Sequence, residues 1–148
     1  MLVRLLYASR ATGGIDDGLL GSIVESSRAN NLEHGITGIL CVYPEGGVFL
    51  QVLEGARPAV NRLYANLVRD RRHADITLLE YAEIEERLFS AWRMGCVDLK
   101  KVNLSTILRY SEKPVLDPHS MTGKGALALL EELSKTAAIV SRDLGHRS

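Results

Sequence analysis

The sequence predicts an α+β fold: a ferredoxin-like β-α-β-β-α-β-β sheet with two helices on one face and C-terminal helices on the other. Three observations predict it. Segments of strand-like apolar pattern alternate with two helix-like stretches in that order. The middle strands are apolar on both faces, so each face of the sheet needs a cover. The tail beyond residue 100 carries apolar residues at helical spacing and can supply the second cover.

Leu2 to Ala8 reads as the first strand, with Val3, Leu5 and Tyr7 on one face. Ser9 to Gly14 reads as a turn. Asp16 or Asp17 can cap a first helix running to about Asn31, with an apolar stripe of Leu20, Ile23 and Val24 continued by Ser27. Gly35 ends it. Ile36 to Tyr43 is the second strand, Pro44-Glu45-Gly46-Gly47 a hairpin turn, and Gly47 to Gly55 the third strand. Pro58 opens the second helix near its first turn, where proline is tolerated; its stripe is Val60, Leu63, Tyr64, Leu67 and Val68. Ile76 to Ile84 is the fourth strand and Met94 to Leu99 a short fifth. Leu104, Ile107 and Leu108 mark a short helical turn. A loop with Pro114, Pro118 and Gly123 leads to a longer helix carrying Leu130, Leu133, Ala137, Val140 and Leu144.

Composition removes several classes of function. The chain has 148 residues, enough for one domain with an appendage, and is 46% hydrophobic and 24% charged, as ordinary globular chains are. Net charge is zero and no basic stripe occurs, which argues against nucleic acid and anionic membranes as partners. The start, Met1-Leu2-Val3-Arg4-Leu5, lacks a signal-peptide layout, and no apolar run is long enough to span a bilayer, so a cytoplasmic location is expected. Cys41 and Cys96 each fall in a strand-like segment and read as buried reduced thiols. His34, His73, His119 and His146 have no ligand spacing to one another or to the cysteines, so no metal site is expected. The Gly-rich phosphate loops and the nucleophile elbow are absent.

What stands out is polar residues where packing favours apolar ones. Gln51 lies in Gly47-Val48-Phe49-Leu50-Gln51-Val52-Leu53-Glu54-Gly55, a strand apolar on both faces. A buried primary amide needs partners for two donors and an acceptor. Tyr7 shares the face of Val3 and Leu5. Asn31 falls on the buried stripe of the first helix, four residues after Ser27, with Asn30 beside it. Taken singly, Tyr7 is a core tyrosine, an asparagine at the helix end is a cap, and Gln51 is a strand amide bonded to backbone. Taken together, three amides and a phenol on one side of the fold suggest a pocket for a flat ligand rich in donors and acceptors. The second helix ends Arg69-Asp70-Arg71-Arg72-His73, cations that complement the helix dipole. With a flat ligand between the helices, Asp70 and Arg72 would stand at its outer end.

Five pieces in order resemble one family. They are Leu5-Leu6-Tyr7-Ala8-Ser9, Asn30-Asn31 before Gly35-Ile36-Thr37-Gly38, the strand with Gln51, Arg69-Asp70-Arg71-Arg72-His73, and Phe89-Ser90-Ala91-Trp92-Arg93-Met94. Over roughly residues 1 to 98 the chain is similar to BLUF domains, blue-light sensors that use FAD. The resemblance implies a photosensor core over residues 1–100 and a helical extension over 101–148. It implies non-covalent flavin between the two helices; FMN and riboflavin share the same ring. Tyr7 would give an electron and a proton to the excited flavin, and Gln51 would bridge Tyr7 and the ring. Asn31, with Asn30 nearby, would bond the carbonyl and imide edge. Arg72 and Asp70 would contact the far side of the ring and the ribityl chain. Trp92 and Met94, close to Gln51 on the last strand, would pass on the change.

The expected function is therefore that of a sensor and not an enzyme, since about 50 residues after the core are too few for a catalytic domain. Output would pass to a downstream protein partner or through a homo-oligomer. One alternative is a flavin-free, BLUF-like interaction adaptor, against which Tyr7, Asn31, Gln51 and Arg72 argue. Another is an acylphosphatase-type hydrolase with Arg10 in a Ser9-to-Gly14 phosphate loop, which leaves the buried Gln51 unexplained.

Overall fold

The structure is a computed structural model that describes residues 1–99 and 102–135. Its core is a mixed sheet of five strands in the order β4-β1-β3-β2-β5. The strands are β1 (Leu2–Ala11), β2 (Thr37–Tyr43), β3 (Val48–Ala56), β4 (His73–Ile84) and β5 (Gly95–Asp98). All neighbours pair antiparallel except β2 and β5, which run parallel. Helices α1 (Asp17–His34) and α2 (Arg57–Arg69) connect β1 to β2 and β3 to β4; α3 (Leu104–Leu108) and α4 (Gly123–Leu133) follow the sheet. The α+β, ferredoxin-like expectation holds, with β5 added at the edge beside β2.

The strand alternation sorts the core into two layers. Val3, Leu5, Tyr7, Leu40, Phe49, Leu53, Val60 and Met94 pack on the side of α1 and α2. Leu6, Ile39, Cys41, Leu50, Val52, Phe89 and Trp92 pack on the other side with Ile107 of α3 and Leu129, Leu130 and Leu133 of α4. Burying β3 on both faces is what makes its two polar side chains, Gln51 and Glu54, consequential: a buried polar group without a partner costs about 1–3 kcal/mol.

Several boundaries differ from the sequence expectation. Ser9, Arg10 and Ala11 extend β1 instead of opening a turn, because β1 is central and pairs with β3 as far as Arg10 and with β4 as far as Ala11. β4 accordingly starts at His73 and not Ile76, with a bulge where Asp75 takes φ 52°. Helix α1 is capped by Asp16, whose side chain accepts from Leu19 N at 2.8 Å, and continues past Asn31 to His34. Gly35 closes it in the left-handed conformation, φ 68°, as the sequence predicts. Val68 is exposed, so the buried stripe of α2 is narrower than its apolar pattern. Trp92 and Met94 precede β5, which begins at Gly95. Gly123 starts α4, its backbone close against Leu79 and Glu80 of β4. Leu130 and Leu133 are buried in α4 as expected; Ala137, Val140 and Leu144 lie outside the described residues. Among the described residues no helix is long and apolar enough to cross a membrane.

Candidate flavin site

The site is built across the centre of the sheet. Tyr7 on β1 stands directly opposite Gln51 on β3, and Gln51 opposite Leu40 on β2. In an antiparallel pair that places the phenol and the amide side by side on one face. Tyr7 Oη donates to Gln51 Oε1, and the Gln51 amide Nε2 donates to Met94 Sδ at 3.3 Å. Tyr7 is 2% exposed and Gln51 4%. Burial pushes the Tyr7 phenol well above its ordinary pKa, reinforced by Tyr64 and by the negative charge of Asp70. The hydroxyl is therefore neutral and a committed donor. A thioether is a weak acceptor that occupies one N–H of the amide, so Gln51 holds its second N–H for another partner.

Asn31 shows the same incompleteness. Buried on α1 at 1% exposure, it donates from Nδ2 to the Arg93 carbonyl at 2.6 Å, while Oδ1 is buried without a partner. The carbonyl can only accept, so the nitrogen must face Arg93 and the orphan must be the oxygen. A buried orphaned acceptor calls for a donor from outside the chain.

Between α1, α2 and the sheet lies a narrow cleft of about 40 Å³ lined by Tyr7, Ile23, Ser27, Leu40, Phe49, Gln51, Leu67, Asp70, Arg72 and His73. Apolar walls with few polar groups suit a flat aromatic ligand. At its mouth Arg72 binds the Asp70 carboxylate through Nε at 3.0 Å and Nη2 at 2.6 Å. These bonds hold the Asp70 carboxyl below the usual carboxylate value against the opposing effect of partial burial, and Asp70 keeps the guanidinium charged.

Of the residues the sequence singles out, Tyr7, Gln51, Asp70 and Arg72 line the cleft, and Met94 touches Gln51. Asn30 is half-buried and, like Asn31, outside the cleft lining. Trp92 is not beside Gln51: its indole is buried in the opposite layer, against Gly95 and with the α3 and α4 side chains. The sequence reading missed His73 as more than a helix-end cation. Its Nε2 faces the Leu67 carbonyl at 2.6 Å and its Nδ1 the Ser9 hydroxyl at 2.8 Å. The carbonyl fixes the hydrogen on Nε2, so in the neutral ring Ser9 donates to Nδ1. That ring stands edge-on to Tyr7 and Phe49, and Tyr64 lies tilted against Tyr7 at 5.6 Å. Ser9 as a core partner of His73 was concealed by its apparent place in a turn, and the phosphate loop required by the hydrolase reading is not formed, since Ser9 to Ala11 are strand.

The fold and cleft define a domain that can seat a flat ligand between its sheet and two helices. The family model described as BLUF, sensors of blue light using FAD, matches residues 2–95. The chain belongs to the BLUF family, whose cofactor is FAD. It is 35% identical over 94 residues to the photoactivated adenylate cyclase subunit beta of Euglena gracilis, a match covering 63% of this chain and 11% of that relative. Its structure is similar to that of BlsA in the photo-activated state, with a TM-score of 0.81, 31% identity and coverage of 93% of this chain and 98% of that one. It is also similar to the dark-state structure of the BLUF protein BlrB, with a TM-score of 0.72, 31% identity and coverage of 90% and 95%.

The residues present fit the cofactor. The orphaned Asn31 Oδ1 matches an imide N–H, and the second N–H of Gln51 matches a ring nitrogen or carbonyl. The walls of Ile23, Leu40, Phe49 and Leu67 match the apolar ring faces.

Proposed function

We propose that this chain is a blue-light photoreceptor that holds FAD non-covalently and stores the light signal in the hydrogen bonds of Gln51. The observation that carries the reading is the pairing of Tyr7, Gln51 and Met94 beside a cleft, with an unfilled acceptor on Asn31. Asn31 would hold the imide edge of the ring with Asn30 nearby, Gln51 its neighbouring polar edge, and Arg72 with Asp70 the ribityl side. A bound flavin supplies a blue-absorbing ring that, when excited, draws an electron and a proton from a nearby phenol. FMN and riboflavin carry the same ring.

The chain's own part is the handling of one proton and one amide. Loss of an electron makes the Tyr7 Oη strongly acidic, and its hydrogen bond to Gln51 Oε1 is the path by which the proton leaves. When electron and proton return, the amide can settle in a second arrangement, by rotation that exchanges Oε1 and Nε2 or by a change of tautomer. Either one alters what Gln51 offers to Tyr7, to Met94 and to the ring. Each arrangement is discrete because a half-satisfied buried network is costly. Met94 transmits the change to the segment entering β5, and α3 and α4 on the far face carry it onward. We infer that residues 1–100 are the photosensor and residues beyond 100 the output surface. The chain then signals to a downstream protein or a second copy, and performs no chemistry on a substrate.

Tyr7→Phe and Gln51→Leu test the assignment. Each variant is expected to keep bound flavin and to lose the light-induced red shift of its absorption. A full wild-type shift in either variant would refute the role given to that residue.

A further inference from the structure

We infer that Glu54 is a positioning residue of the light response: it fixes the segment that presents Met94 to Gln51, from the opposite face of the same strand. The inference rests on the blue-light reading above.

Glu54 is fully buried and, on β3, lies three residues beyond Gln51, so the two side chains leave the strand on opposite faces. Its carboxylate is completely engaged. Oε1 accepts from Phe89 N at 2.9 Å, and Oε2 from Leu88 N at 3.0 Å and from Arg4 Nε at 2.8 Å. Arg4 is its direct neighbour across β1 and β3, with a side chain 11% exposed. A shielded carboxylate that accepts two successive backbone N–H groups and a guanidinium forms charge-assisted bonds about twice as strong as neutral ones.

What this clasp holds is the irregular stretch from Glu85 to Met94 between β4 and β5. Arg87 Nη1 donates to Thr37 Oγ1 at 3.0 Å, Trp92 N to the Phe89 carbonyl at 3.1 Å, and Gly38 N to the Trp92 carbonyl at 2.9 Å. Its far end is gripped by Asn31 at the Arg93 carbonyl and by Gln51 at Met94 Sδ. The strap is thus fastened to β3 twice, at its entrance by Glu54 and at its exit by Gln51. The reach of Met94 toward Gln51 depends on where Leu88 and Phe89 are held. If the exit bond changes with light, the fixed entrance makes the strap between them, with the Trp92 indole on it, the part that must move.

The experiment uses the full chain loaded with FAD and two readouts, the light-minus-dark flavin absorption and the emission of Trp92, the chain's one tryptophan. It compares wild type with Glu54→Gln and with the double variant Arg4→Met/Glu54→Gln. The double variant leaves no buried charge and keeps the test available if the single variant fails to fold. The expected result is a retained flavin red shift in the variants with the light-induced change in Trp92 emission reduced about twofold or more. An unchanged Trp92 response would overturn the inference, as would loss of the red shift in a variant that still binds flavin. Absence of any red shift in the wild type would instead count against the blue-light reading itself.

Discussion

Gln51 shows how far a single residue can be read. Its place in a strand apolar on both faces predicts burial and demands partners, and both are found. Neither partner follows from that pattern. Tyr7 is a partner through the β1–β3 register, and Met94 through the fold of an irregular segment; the resemblance, not the spacing, pointed to them. His73 was hidden because a histidine after a helix end already has a sufficient electrostatic explanation. The same reasoning gives a prediction for Asn31. Asn31→Ala removes the orphaned acceptor and the clasp on Arg93, so flavin affinity is expected to fall by about 1–3 kcal/mol, roughly five- to 150-fold, in a titration with FAD. The cysteines give another. Burial, aided by the Asp98 carboxylate, pushes the Cys96 thiol up to about 11, and burial raises Cys41 further. Both should ignore a thiol reagent in the native protein at pH 8 and react on unfolding; rapid native labelling would contradict their placement.

At the scale of elements, the strands and helices were legible where pattern and tertiary context agree. Val60, Leu63 and Leu67 give α2 its packed face, and the Asp16 cap with Gly35 bounds α1. The failures are at strand ends. Ser9-Arg10-Ala11 and His73-Ala74-Asp75 carry turn-like or helix-end chemistry, yet pairing along the central β1 draws them into the sheet. Tertiary pairing overrides local preference there. Gly38 on β2 shows the precision of that pairing, since a Cβ at this position would stand 2.0 Å from the Val52 carbonyl oxygen of β3. Gly38→Ala is therefore expected to cost about 1–3 kcal/mol, or more, in denaturant unfolding. Leu129→Ala on the other face should cost about 2–5 kcal/mol, because the residue is fully buried between α4 and the sheet. A cost near zero would mean that α4 does not cover the sheet in solution.

For the whole molecule, the two-layer core gives the switch proposed above, on one face of the sheet, a route to the other face. The sheet separates the cleft, with Tyr7, Gln51 and Met94, from Trp92, α3 and α4, and the strap from Glu85 to Met94 passes between the layers. The need for a second cover was legible in strands apolar on both faces. The side on which Trp92 packs was not, because it precedes β5 and follows no strand alternation. Charge adds a global test. The Asp70 carboxyl, depressed by Arg72, contributes stability that is fully present above its unfolded value of about 3.9 and is lost as pH falls through its lower folded value. The stability difference between wild type and Asp70→Asn should thus be constant near neutrality and shrink only below about pH 4. A difference that shrinks between pH 8 and 5 would show that the pair is not formed.

The central claim is that the hydrogen bonds of Gln51 store the light signal. The most direct measurement is the visible absorption of the purified chain with FAD, in the dark and immediately after blue light. A flavin band that moves slightly to longer wavelength, with no bleaching, and returns in the dark is the result expected from a rearranged amide. A flavin band that does not move, or a chain that binds no flavin, would contradict it.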